Sequence, residues 1–160
     1  MLAVTLSLDR RATSTALGYV LSLGIAAILI TGLLVAGGEL VQNQREQSAH
    51  TELEVIGQTI ADDLASASRL ADCDSCELSL RISVPDRVAG ESYLIDIVEV
   101  EANPAYPEYI YRLDLETGRS GVTDSVMVRT RLPVAETSLA GGSLVVDYDS
   151  GAGQLEVRNA

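Results

Sequence analysis

The most reactive side chains in the sequence are those of Cys73 and Cys76, the two cysteines of the segment CDSC. A closed zinc site needs four ligands, and the only other soft ligand is His50, far upstream. Thioredoxin-type chemistry places the pair at a helix N-terminus, whereas this pair is predicted to follow a helix and lies among acidic residues. We favour a short structural disulfide in an oxidising compartment, and free thiols are the alternative.

A second pattern, DYDSGAG, spaces Asp147, Asp149 and Gly151 like the start of a calcium-binding loop. The distal glutamate of such a loop is missing, so a β-hairpin turn is the better interpretation. His50 lies among polar residues and is predicted to be solvated. The sequence therefore predicts neither a bound metal nor a cofactor.

Residue sets that support catalysis are also absent from the sequence. No serine or cysteine has a histidine-bearing neighbourhood to activate it, and no glycine-rich phosphate loop follows a predicted strand. Acidic pairs such as Asp62 and Asp63 are explained by solvation. We therefore expect that the protein is not an enzyme and has no catalytic residues.

The charge of the chain is strongly acidic. Its 160 residues hold 23 acidic residues and 11 arginines but no lysine, for a net charge of -12. The chain is long enough for one small domain with an appendage, and without a basic patch it is not expected to bind nucleic acid. Such a composition keeps a protein soluble at high salt, which indicates an extreme halophile. An acidic mesophilic protein from a GC-rich genome is the alternative.

An uncharged apolar segment, residues 16–38, is long enough to span a bilayer as a helix, for which about 20 residues suffice. Arg10 and Arg11 precede it and predict a cytoplasmic N-terminus, with the C-terminal domain extracytoplasmic. A cleavable secretory signal has a shorter apolar stretch, although Ala36 to Gly38 imitate its small-residue cleavage site. We expect the segment to be retained as a single-pass span of the lipid bilayer, with enough small residues for close helix packing.

The segment beyond the apolar run predicts an α+β fold. Residues 42–50 are polar and predict a solvated stalk, and residues 53–71 predict an amphipathic helix. From Glu77 onward the apolar period changes to two, which predicts an antiparallel meander covered by that helix. The buried stripe of the helix consists of Leu53, Ile56, Ile60, Leu64, Ala67 and Ala71. The predicted strands cover residues 77–84, 92–100, 109–115, 125–132, 143–149 and 154–159.

The junction DRRATSTALGYVLSLGI resembles the leader of archaeal type IV pilins and archaellins, which a prepilin peptidase cuts before the apolar helix. The resemblance places the cut between Ala12 and Thr13. The wider segment from TSTALGYVLSLGI, with QREQ and VPDRVAGESYLIDI further on, resembles a family of uncharacterised haloarchaeal membrane proteins with pilin-like N-termini. The sequence departs from the commoner haloarchaeal pilin pattern at Thr15, where a proline often follows serine.

This resemblance implies four segments: a cytoplasmic leader (1–12), a transmembrane helix (13–38), a stalk with an amphipathic helix (39–71) and an antiparallel β-rich extracytoplasmic domain (72–160). It also implies a structural or adhesion protein of the cell surface, in a narrower form a minor pilus subunit. Prepilin peptidase and other pilin-like subunits would be its partners. The alternative is a permanently anchored ectodomain that binds an envelope partner without polymerising.

Overall fold

A computed structural model describes residues 10–71, 77–103 and 108–160. The described chain begins with a single helix, α1 (Arg10–Leu70), and every later element is a strand. The seven strands of the described residues are β1 (Ser79–Ile82), β2 (Tyr93–Asn103), β3 (Glu108–Thr117), β4 (Thr123–Thr130), β5 (Thr137–Ala140), β6 (Leu144–Asp149) and β7 (Gln154–Asn159). A long helix followed by antiparallel strands is the α+β fold that the sequence predicts.

The chain divides into two compact units, one ending at Asn43 and one running from Gln44 to Ala160. The described part of the first unit is the N-terminal portion of α1. The remainder of α1 and all of the strands belong to the second unit. The polar residues 42–50 do not interrupt the helix, because α1 runs through this segment.

The C-terminal part of α1 carries the predicted apolar stripe. The six predicted residues, the last of which, Ala71, directly follows the end of the helix, are all buried, with at most 5% exposure at Ile56. Spacings of three and four residues place them on one face of the helix, which packs against the strands that follow. Burial of each leucine or isoleucine contributes up to about 1.5–3 kcal/mol to folding. The predicted amphipathic helix is therefore confirmed.

The polar stalk predicted for residues 42–50 is only partly solvated. Ala49 is 2% exposed, so the second unit buries helix residues from this point onward. The prediction of a fully solvated stalk is wrong at its C-terminal end, because one small side chain is enough to let a helix turn pack closely.

The strands form two antiparallel sheets rather than the single predicted meander. One sheet has the order β4-β3-β2-β5 and the other β1-β6-β7. Strands β2, β3 and β4 do form a meander, but β5 pairs with the opposite edge of β2. The sequence did not predict β5, because this strand has only four residues and buries only Leu139. Its apolar residues alternate over too few positions to identify a strand, so the predicted arrangement is wrong. Without β5, the 11-residue β2 would present a long unpaired edge.

Two fully buried tyrosines fix the core of the second unit. The Tyr93 hydroxyl donates to the Pro85 carbonyl at 2.7 Å, and a Cβ atom on Gly141 would overlap the Tyr93 ring. Tyr111 receives a hydrogen bond from the Val134 N–H at 2.9 Å. These bonds satisfy polar groups that folding removes from water.

Candidate functional site

The apolar part of α1 exposes an unusually large hydrophobic surface. Every large apolar side chain from Leu17 to Val35 is between 52% and 74% exposed. The most apolar 18-residue window of the helix has a mean hydropathy of 2.4, and none of it is buried. By length and composition the helix can therefore serve as a single membrane span.

Polar groups within this segment are compatible with lipid. The Thr31 hydroxyl donates to the Ala27 carbonyl at 2.8 Å, so the helix itself satisfies this side chain. Tyr19, near the N-terminal end of the segment, is 71% exposed and has the amphipathic ring that is common at membrane interfaces. An apolar solvent therefore need not disrupt the helix at either residue.

The glycines of the apolar segment pack against no other part of the described residues. Apart from the adjoining residues and backbone of α1 itself, a Cβ atom added at Gly18, Gly24, Gly32, Gly37 or Gly38 would meet no described atom within 4 Å. A shallow groove on one face is lined by Ala27, Thr31, Gly32 and Ala36 together with larger residues. Such small residues let a second helix approach closely.

The predicted processing and topology residues lie at the start of α1. Arg10, Arg11, Ala12 and Thr13 form its first turn. Their proposed roles in orientation and leader cleavage stay predictions. Cys73 and Cys76, with their predicted disulfide, lie outside the described residues.

The predicted hairpin turn at DYDSGAG is confirmed. Asp149 accepts the N–H groups of Gly151 at 2.8 Å and Ala152 at 3.3 Å, which stabilises the β6–β7 turn. The Asp147 carboxylate accepts from Arg158 at 2.9 Å. A hydrogen bond from Ser79, followed by the Arg158 interaction, lowers the pKa of Asp147. Within the described ranges, no group of three or more acidic, histidine or cysteine side chains is arranged to hold a metal.

His50 has a partner that the sequence did not reveal. Its Nε2 atom lies 3.6 Å from Oδ1 of Asp124 on β4, although the imidazole is still 55% exposed. The Asp124 side chain is only 15% exposed, and its buried Oδ2 atom has no hydrogen-bond partner in the described part of the chain. The period-two pattern offered a signal, because Asp124 alternates in phase with the inward-facing Val126 and Val128.

The other perturbed titratable groups hold the fold together. The Glu91 carboxylate accepts the N–H groups of Ser120 at 2.9 Å and Arg119 at 3.2 Å, and the Ser120 bond is the main cause of its lowered pKa. Burial raises the pKa of Tyr93 and of Tyr111 to about 12. These groups connect turns and strands and do not converge on a common cleft.

Comparison with known proteins gives one match. The model of a family of unknown function, DUF7266, matches residues 8–160. No curated protein and no solved structure matches the chain.

Proposed function

The chain belongs to this DUF7266 family of unknown function, and we propose that it is a single-span, pilin-like surface protein of a halophilic archaeon. Its work is structural or adhesive, and no catalysis is proposed. The observation that carries the proposal is the uninterrupted helix α1, whose apolar surface is exposed before Asn43 and whose apolar stripe is buried beyond it.

Retention of the apolar segment is supported by two observations. The family match begins at residue 8, so the family model includes the apolar segment together with the β-rich domain. The helix also continues from the apolar segment into residues that the domain buries, beginning with Ala49. A secretory signal would instead be removed and would have no continuation of this kind.

The charge distribution supports an N-terminus in the cytoplasm. Arg10 and Arg11 precede the span, and short arginine-containing flanks remain on the cytoplasmic side. Nine arginines and 22 acidic residues follow the span. In the proposed topology this acidic surface faces the salty exterior, where it stays hydrated while salt screens its self-repulsion.

In the stronger form of the proposal, a prepilin peptidase cuts between Ala12 and Thr13, and the released helix assembles with other pilin-like subunits. The apolar surface that lipid covered then becomes the core of a filament. The glycines of the apolar segment, which have no packing partner among the residues that the structure describes, support this form. Thr15, which departs from the commoner pilin pattern, favours the alternative of a permanently anchored ectodomain that binds an envelope partner.

The mass of the native protein, extracted from membranes, separates these possibilities. Loss of residues 1–12 supports the pilin form, and a retained leader supports the permanent anchor. Ala12→Leu, compared with Ala16→Leu as the matched control, is expected to block processing only at the predicted junction. A freely dissolved product that begins near Glu39 contradicts both forms, because neither permits loss of the helix.

A further inference from the structure

The predicted cleavage junction lies inside a helix. Helix α1 begins at Arg10 and continues without a break to Leu70, so the peptide bond between Ala12 and Thr13 belongs to its first turn. The residues on both sides of this bond therefore have helical backbone. A peptidase that cuts at this position meets a helix and not an extended chain.

Helical hydrogen bonding occupies the carbonyl group that hydrolysis must attack. In an α-helix the C=O of Ala12 accepts the N–H of Ala16. Hydrolysis adds water across the amide and leaves a carboxyl group on Ala12 and an amino group on Thr13. Negative charge develops on the Ala12 carbonyl oxygen in the transition state, so the donors of the enzyme must reach this oxygen. The first turn must therefore unwind before the bond is cut.

The sequence of the first turn makes its helical form only marginally stable. None of its four residues is acidic, so no carboxylate complements the positive end of the helix dipole. Thr13, Ser14 and Thr15 have modest helix propensity. Each of the three nevertheless keeps the backbone N–H that a helix requires. A small free-energy difference therefore separates the wound and unwound forms of the turn.

Thr15 is the residue that lets the helix extend upstream. A proline at this position would have no N–H for the Arg11 carbonyl, and its ring would disfavour helical backbone at Ser14. Proline is well tolerated as the first residue of a helix, and serine is a good N-cap before it. With proline the helix would begin at position 15, and the bond between Ala12 and Thr13 would precede it.

We propose that the first turn of α1 is a gate on leader removal. The peptidase cuts only those chains in which this turn is unwound, so the rate of processing follows the unwound fraction. The gate rests on the proposed function in its stronger form, with the cut between Ala12 and Thr13. Threonine at position 15 keeps most chains closed, which makes processing slow.

The test follows processing of the full chain by intact mass in lipid vesicles that also contain an archaeal prepilin peptidase. We expect Thr15→Pro to be cut about tenfold faster than the wild type, because propensity differences over a few residues amount to a factor of this size. The matched control Thr15→Ala keeps the N–H and favours the helix, so it is cut no faster than the wild type. Cutting of Thr15→Pro at the wild-type rate or more slowly refutes the gate. If none of the three proteins is cut, the predicted junction itself is wrong, and the pilin form fails together with the gate.

Amide hydrogen exchange in detergent micelles gives a readout that needs no peptidase. The Ala16 N–H is expected to exchange about tenfold more slowly in the wild type than in Thr15→Pro, since only the wild type bonds it to the Ala12 carbonyl. The Gly24 amide, about two turns further along α1, controls for the rest of the helix and exchanges equally in both proteins. Equal exchange of the Ala16 amide in the two proteins shows that the first turn is already open, and it refutes the gate even if the cut occurs.

Discussion

The substitution Gly57→Ala tests how closely α1 packs on the strands. A Cβ atom at this position would lie 2.8 Å from Val126 Cγ2 and 3.0 Å from Leu115 Cδ1. The leucine methyl can rotate away, but the valine side chain is branched at Cβ and has little freedom to move. Gly57 is therefore required by the short distance between the helix and β4, and not by an unusual backbone angle.

Two opposing effects set the magnitude. Alanine favours a helix over glycine by about 1 kcal/mol, whereas overpacking a core typically costs about 1–3 kcal/mol. The net result for Gly57→Ala is a loss of up to about 2 kcal/mol in the free energy of unfolding. In a Val126→Ala background the obstructing methyl is absent, so the same substitution is expected to stabilise the protein by about 1 kcal/mol.

The assay is thermal unfolding of the four proteins of this double-mutant cycle, as full chains in the same detergent. The decisive quantity is the sign of the Gly57→Ala effect in each background. A stabilising effect with Val126 present would show that helix and strand are further apart than the structure indicates. Glu54→Ala, on an exposed position of the same helix, controls for the effect of alanine alone.

Further predictions concern a strained turn and three titratable groups. Ala89 has a positive φ of 49°, so Ala89→Gly is expected to stabilise the protein by about 0.5–1 kcal/mol in thermal unfolding, while Ala140→Gly on a strand destabilises it. The pKa of Tyr93 and of Tyr111 is raised to about 12, so both remain protonated in the folded state while the unfolded chain ionises above 10. The free energy of unfolding therefore falls as the pH rises from 10 towards 12, by about 1.4 kcal/mol per pH unit for each of the two tyrosines. Each Tyr→Phe variant removes the contribution of one tyrosine, so its free energy of unfolding should fall less steeply with pH than that of the wild type. The pKa of Glu91 lies below its ordinary value of 4.5, so its contribution to the free energy of unfolding is present above that pH and is lost on acidification. In Glu91→Gln, the free energy of unfolding should therefore depend less on pH in the acidic range.

The sequence predicted those elements whose apolar residues recur with a regular period. The predicted faces are buried both in the stripe from Leu53 on α1 to Ala71 just beyond it and in the alternating residues of β3 and β4. The missed features depend on contacts between distant segments, which no local period encodes. Strand β5 is recognisable only beside β2, and the partner of His50 lies far along the chain on β4. Gly57 is required by the close approach of Val126, a residue on β4 far along the chain, which no local pattern around Gly57 could show.

The magnitude of the exposed apolar surface limits what the first part of α1 can do. Eleven aliphatic side chains between Leu17 and Val35 are more than half exposed, and burying each contributes about 1.5–3 kcal/mol. Their sum, roughly 17–33 kcal/mol, is a large free energy for an exposed surface to forgo, so this part of the helix favours an apolar environment. Lipid and neighbouring helices both provide such an environment, but only one of them can compensate for the glycines. Each of the five glycines costs a helix up to about 1 kcal/mol relative to alanine. Contact with lipid chains does not offset this cost, because an alanine would contact the lipid equally well. In the proposed filament form, a second helix would approach a glycine more closely than an alanine, and this closer packing would offset the cost.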